Sequence, residues 1–377
     1  MLEIVNAKGC VLTDVNGKEY IDLISGISVS NVGHCHPDVV HAVTEQANKY
    51  MHLMVYGEFV EHPQTLLAEK LASLLPKKLN SFYFVNSGTE AVEGAMKLAK
   101  RITGRYKMIS FKNSYHGSTQ GALSIMGSEE FKNAFRPLIP GVTSIDYNDK
   151  NQLNIIDDET ACVFVEPVQA EIGCNIPDVD YMKALRTRCD EVGALLIFDE
   201  IQTGFGRTGP LFALEDLDVV PDILMLAKAM GGGMPIGAFV SSKEIMQSLT
   251  SNPILGHITT FGGHPVSAAA ALASLKIIEQ IPKASTIEKS ELFKQKLIHP
   301  KIREVRGKGL LIAVDFGDME FNMSVISKCI EKGLITDWFL FAPHCLRIAP
   351  PLNISNHEIF MSCDIILDSI DDVLNNK

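Results

Sequence analysis

The chain has 377 residues, 46% hydrophobic and 21% charged, with a single Trp. That length exceeds what one ordinary core sustains and predicts two domains. Its 34 basic and 45 acidic residues leave a formal net charge of −11, which argues against nonspecific nucleic-acid binding, because phosphate contacts need a basic face. No apolar stretch reaches the ~20 residues needed to cross a bilayer, and the N-terminal MLEIVNAKGC lacks the pattern of a secretory signal. Eight cysteines lie scattered with no CxxC pair. They argue against zinc and predict a reducing, cytoplasmic location.

In chain order, Val11-Leu12-Thr13 and Tyr20-Ile21-Asp22-Leu23 flank an Asn16-Gly17 pair, which reads as a hairpin. From about residue 64 to 270, helical periodicity alternates with short buried strands. Helices are expected over 64–75, 89–103 and 266–281, and strands over 81–85, 108–111, 161–165, 194–198 and 223–226. This alternation predicts an α/β fold whose large domain has a mostly parallel sheet flanked by helices. Ligands on such sheets bind at the carboxyl ends of the strands. Past 281 the pattern changes, with strands expected over 302–305 and 310–316 and helices over 324–332 and 357–374. The expected division is an N-terminal hairpin segment (1–50) joining the small domain, a large domain (51–281) and a smaller α+β domain (282–377).

Lys228 follows the apolar run 223–227 and precedes three glycines; 29 residues earlier, Asp199 closes the apolar run 194–198. A lysine and an aspartate delivered by strand ends are what pyridoxal 5'-phosphate chemistry requires. The amine bonds the cofactor aldehyde, and the carboxylate keeps the pyridine nitrogen protonated. Each alone has a plainer reading, a solvated loop lysine or a helix-capping aspartate. Asn86-Ser87-Gly88-Thr89 joins a strand to a helix. It offers backbone N–H donors and the positive end of a helix dipole to a phosphate. A simple N-cap at Ser87 or Thr89 is the competing reading. The loop is neither a GxGxxG fingerprint nor a Walker A motif, so nothing supports a nicotinamide or NTP site. Tyr115, in Ser114-Tyr115-His116-Gly117, can stack on a heteroaromatic ring, or serve as a core aromatic. Gln202 is spaced to reach a ring hydroxyl, and Ile201 to press on the ring face opposite Tyr115.

Together these segments resemble the class-III aminotransferases, the group containing acetylornithine, ornithine and 4-aminobutyrate aminotransferases. The matching stretches are GHCHP (33–37), NSGTEAVEGAMKLAK (86–100), YHG (115–117), EPVQAE (166–171), FDEIQTGFGRTG (198–209), LAKAMGGGMPIGA (227–238), TTFGGHP (259–265), VRGKGLL (305–311) and LRIAPPL (346–352). They run in family order over nearly the whole chain. The resemblance implies the fold-type-I pyridoxal-phosphate architecture and a homodimer with active sites at the subunit interface. It makes Lys228 the Schiff-base lysine and proton carrier, Asp199 the partner of the pyridine nitrogen and Gln202 that of the ring oxygen. Gly88 and Thr89 bind phosphate through their backbone, while Ser87, Tyr115, His116, Glu166 and Ile201 complete the cofactor surroundings. Thr260, from the other subunit, completes the phosphate site with Thr259 nearby. Arg347 matches the arginine that grips the α-carboxylate of 2-oxoglutarate or glutamate. Glu171 matches the acid that pairs with this arginine and lets it swing away for a different donor.

Three departures stand out. Ornithine-type members follow the aromatic-His-Gly triplet with a carboxylate-binding arginine; here the position is Ser118, with Arg136 a candidate substitute. Ile27 lies where ornithine aminotransferase has a gating tyrosine, which predicts a more open donor pocket or a mere packing role. Family members also carry a longer N-terminal arm, so either the start is truncated or the mouth of the site is open. The expected function is ping-pong transamination from an amino acid or ω-amine donor to 2-oxoglutarate, with no metal, nucleic acid or membrane involved. An amino-acid racemase or aminomutase on the same scaffold is the alternative, and a non-catalytic pyridoxal-phosphate-binding protein the remote one.

Overall fold

The computed structural model describes residues 2–375. Strands β1 (Ile4–Lys8), β2 (Val11–Asp14) and β3 (Glu19–Asp22) open the chain. β2 and β3 pair antiparallel as the hairpin reading expects. Asp14 organises the turn, its Oδ1 accepting from Asn16 N (2.9 Å) and Lys18 N (3.0 Å), while Gly17 takes φ +79, a left-handed conformation open to glycine at no steric cost. β1 was not predicted.

The large sheet contains β4 (Ser81–Val85), β5 (Lys107–Phe111), β6 (Val142–Ile145), β7 (Thr160–Val165), β8 (Leu195–Asp199), β9 (Ile223–Leu226) and β10 (Gly237–Ser241). Their order is β4-β10-β9-β8-β7-β5-β6. β10 runs antiparallel to both neighbours, and the pairs from β9 across to β6 are parallel. Both faces are covered, which is why β7, β8 and β9 read as unbroken apolar runs. Successive residues still alternate between two cores. Cys162 and Phe164 pack on the side of helix Gly88–Thr103, whereas Val163 and Val165 join the other core. That second core is closed by helices His62–Leu74, Val179–Val192 and Pro265–Ile278.

A third sheet, in the order β11-β12-β15-β14, is built from β11 (Glu304–Lys308), β12 (Leu311–Asp315), β14 (Trp338–Phe339) and β15 (Ala342–Ile348), with β13 (Leu334–Ile335) between β12 and β14 in the chain. It shares a separate core with helices Lys283–Lys296, Met319–Glu331 and Asn356–Asn375. β13 pairs with β3, so the N-terminal hairpin and the C-terminal segment share a sheet. Among the described residues no helix is long and apolar enough to cross a membrane.

Candidate active site

A cavity of about 510 Å³ opens at the carboxyl ends of the parallel strands. Each strand delivers a wall: Asn86 to Thr89 after β4, Tyr115 to Ser118 after β5, Glu166, Val168 and Glu171 after β7, Asp199 to Thr203 from β8, and Lys228 after β9. Residues from Asn86 to Lys228 meet there because parallel strands end on one edge.

Lys228 begins a short turn with φ +49, a left-handed backbone that costs a non-glycine residue about 1–2 kcal/mol and collects at functional sites. Its Nζ donates to Gln202 Oε1 at 3.1 Å. Burial pushes this amine below its ordinary value, although the charges of Glu171 and Asp199 oppose the shift. Gln202 Nε2 is buried without a hydrogen-bond partner, a donor aimed at a group the protein itself does not supply.

Asp199 is held from two sides. Ile201 N donates to its Oδ1 (3.0 Å), and His116 Nδ1 lies 2.7 Å from its Oδ2, both side chains being buried. Burial pulls the His116 imidazole down, but hydrogen bonding and charge from Asp199, with Glu166 beyond, outweigh it and the net shift is upward. Glu166 faces loop backbone: it accepts from Tyr115 N (2.7 Å) and Ala170 N (2.9 Å). Burial pushes its carboxyl up to about 7 against the pull of His116.

Ser87 caps helix Gly88–Thr103, its Oγ accepting from Glu90 N at 3.3 Å. The capping reading and a phosphate-facing helix start are therefore compatible at this turn. Space there is tight. A Cβ on Gly88 would sit 2.9 Å from Ile201 Cδ1, and one on Gly117 2.5 Å from Thr89 Oγ1. Only glycine leaves room for a ligand to approach this backbone.

Glu171 lines the cavity and Arg347 stands behind it. Their contact is a fork, Nη1 to Oε1 at 2.9 Å and Nη2 to Oε2 at 2.8 Å. Both are nearly fully buried. Burial alone would neutralise them, but each charge overcomes it for the other, lowering Glu171 and raising Arg347. The guanidinium carbon also sits 4.4 Å from the centre of the Phe339 ring.

Other predicted positions fall differently. Ile27 belongs to a left-handed run, Ser25 to Ser28, and does not reach the cavity wall; Val29 does. Ser118 lines the cavity and its Oγ lies 3.3 Å from Tyr115 Oη. Arg136 does not substitute for an arginine there, since it is outside the cavity and paired with Glu129. Thr259 Oγ1 accepts from Asn86 Nδ2 at 3.0 Å, just behind the wall, and Thr260 is exposed. The sequence reading missed the His116–Asp199 pair as such, along with Asp337, an acid 3.0 Å from Arg347 Nε. A grouping of possible metal ligands, Asp315, His344 and Cys345, is already served by Arg306, which donates to Asp315 (2.8 Å) and to Cys345 Sγ (3.3 Å).

The profile of the family described as Aminotransferase class-III matches residues 1–370. The chain belongs to this family. The acetylornithine aminotransferases of Methanopyrus kandleri and Methanocaldococcus jannaschii are each 41% identical to it, over 97% and 98% of this chain and 94% and 92% of their own. A transaminase from the marine bacterium Virgibacillus superposes with TM-score 0.92 at 31% identity, covering 100% of this chain and 94% of that one. The ornithine aminotransferase of Toxoplasma gondii gives 0.91 at 31%, covering 100% and 92%. An amine transaminase from an uncultivated Pseudomonas species, in its PLP-bound form, gives 0.91 at 26%, covering 99% and 95%. The protein is thus a pyridoxal-phosphate-dependent class-III aminotransferase of the corresponding fold. The cavity fits that cofactor: a partly desolvated lysine, a braced buried aspartate, an unpaired amide donor and a glycine-opened helix start converge on it.

Proposed function

We propose that this class-III aminotransferase moves an amino group from an ω-amine donor of the ornithine or N-acetylornithine class to 2-oxoglutarate. The carrying observation is the buried Glu171–Arg347 fork beside Lys228, with Glu171 on the cavity wall. When bound, pyridoxal phosphate supplies an aldehyde that takes the amino group and a ring that accepts an electron pair. The chain's residues do the rest. Asp199, steadied by His116 and Ile201, would hold positive charge at the pyridine nitrogen. Gln202 would serve the ring oxygen, Tyr115 and Ile201 the ring faces, and the backbone of Gly88 and Thr89 the phosphate. Lys228 carries the proton to and from the substrate's amine-bearing carbon, for which its amine must be neutral; burial favours that form.

One cavity must accept two unlike substrates. With Glu171 on its fork, Arg347 is electrically quiet and a donor with no carboxylate on its reacting, amine-bearing carbon can enter. With Glu171 displaced, the fork grips the oxo acid's carboxylate bidentately. Ser118 in place of an arginine means that the donor's far end is met by a hydroxyl pair, Tyr115 and Ser118, and not by a cation. Relatives at 41% identity named acetylornithine aminotransferase support the donor class.

Exposed apolar side chains, among them Phe59, Val60, Ile254, Leu255 and Phe261, support a homodimer that brings Thr260 to the partner's phosphate site. A large apolar patch on a free subunit signals an interface. Eight cysteines, none in a disulfide, support a reducing, cytoplasmic location. The separate core of the C-terminal segment and the sheet that β13 shares with β3 support a small domain at 282–377 joined by the N-terminal hairpin, beside a large domain at 51–281; of the segment 1–50, Val32 and Val39 lie in the large-domain core instead.

The test is a half-reaction screen. Absorbance of the bound cofactor is followed with ornithine, N-acetylornithine, 4-aminobutyrate, lysine and simple diamines, with no oxo acid present. A donor that converts the cofactor to its amino form, followed by recovery on adding 2-oxoglutarate, is the expected result. Recovery only with other oxo acids would remove 2-oxoglutarate from the scheme.

A further inference from the structure

We propose that Asp337 is a positioning residue for Arg347, holding the Nε edge of its guanidinium so that Glu171 can leave the Nη1/Nη2 fork and a substrate carboxylate can replace it. The inference rests on Arg347 being the carboxylate-binding residue. Asp337 sits between β13 and β14, directly alongside Arg347 on β15. Arg347 N donates to Asp337 O at 2.8 Å, and Thr336 Oγ1 donates to Arg347 O at 2.6 Å, so the two backbones are locked together. Asp337 Oδ1 lies 3.0 Å from Arg347 Nε. Neither of these buried atoms has a hydrogen-bond partner. The alignment falls short of a hydrogen bond, and the attraction between them is one of charge.

The guanidinium is therefore shared between two acids with different outlooks. Glu171 takes the fork and lines the cavity, whereas Asp337 takes the opposite edge and does not line it. Trp338 O accepts from Nη2 at 2.9 Å, and the Phe339 ring covers one face. Arg347 is thus fixed in place except at the fork. Pulling a carboxylate away from a buried cation is costly chiefly because the cation is left uncompensated. With Asp337 in place, the departure of Glu171 never leaves Arg347 without an anion. The acids exchange roles only at the fork, and the second acid is what makes that exchange inexpensive. The charged groups facing Asp337 are Arg347, Glu171 and Asp22. Burial, with the two other acids, pushes its carboxyl up to about 6 despite Arg347, so its anionic hold on Arg347 fades as pH falls through that value.

Holoenzyme with the cofactor in its aldehyde form is titrated by calorimetry with glutarate, a five-carbon dicarboxylate carrying neither oxo nor amino group, and with 2-oxoglutarate. Arg347→Gln is expected to weaken both by about 100-fold, as loss of one partner of a buried charge contact does. Asp337→Asn is expected to weaken both by about tenfold, while leaving the half-reaction with a simple diamine within about twofold of wild type. Wild-type glutarate affinity should fall below about pH 6, and the Asp337→Asn protein should lack that limb. If Arg347→Gln weakens binding but Asp337→Asn leaves it unchanged or tightens it, Asp337 is only a competing anion and the proposal is overturned, with the role of Arg347 intact. If Arg347→Gln changes nothing, the role of Arg347 falls and the proposal with it. A parallel loss of melting temperature and diamine reactivity in Asp337→Asn would show a structural role and overturn it too.

Discussion

Replacing His116 by phenylalanine removes the ring nitrogen from Asp199 Oδ2 and keeps the shape of the side chain. The contact is 2.7 Å long between groups with 0% and 4% side-chain exposure, so solvent screens it little. Breaking a buried charged pair by deleting one partner costs about 3–5 kcal/mol. The lower end applies because Ile201 N still serves Asp199 Oδ1. At ~2–4 °C per kcal/mol for a domain of this size, the cofactor-free protein should melt about 6–12 °C lower. The loss should depend on pH. His116 is raised above 6.5 in the fold. Its contribution is therefore fully present below 6.5 and is lost as pH rises through its folded value. Glu166, raised from 4.5 to about 7, acts in the same direction and is still titrating there, so the contribution of His116 is read from the difference between wild type and variant. Melting of cofactor-free wild type and His116→Phe is followed from pH 5 to 9. Equal melting temperatures with equal slopes above pH 7 would refute the reasoning.

Lys228→Ala should lower turnover by at least about 1,000-fold, within the range that a proton-transferring group supplies, while pyridoxal phosphate still binds reversibly through Asp199, Gln202 and the helix start. Turnover near wild type would remove Lys228 from the chemistry. Glu171→Gln should shift the ratio of glutamate to diamine half-reaction rates about tenfold toward glutamate, since the fork then carries no competing charge; an unchanged ratio sinks the exchange at the fork. In Gly94→Ala the new Cβ would lie 2.2 Å from Phe239 Cε1. Overpacking of roughly 1–3 kcal/mol should exceed the ~1 kcal/mol gained in helix propensity, so the variant should melt lower, and a higher melting temperature would contradict the packing.

Much of this enzyme is legible locally. β7, β8 and β9 are covered on both faces, so their residues are apolar without interruption, and the Lys228 and Asp199 that end such runs stand out against them. The turn at Gly88 announces itself by small residues before a helix whose buried positions recur with helical spacing. β10 was not legible. Its GAFVS is short, follows a glycine-rich loop, and becomes a strand only because β4 and β9 lie on either side.

The contacts that make the site work depend on separations no local pattern can encode. His116 and Asp199 are 83 residues apart, and Glu171 and Arg347 are 176 apart. Asp337 carried no signal beyond being a polar residue beside Trp338, and it matters only because β15 returns antiparallel past it. Likewise the left-handed run at Ser25 to Ser28 turns Val29, and not Ile27, toward the cavity. Residue type and periodicity determined which chemistry the chain carries, because burial and backbone sterics act on neighbours. Which side chains meet was decided by the strand order, because only the sheet brings the ends of distant strands to one edge.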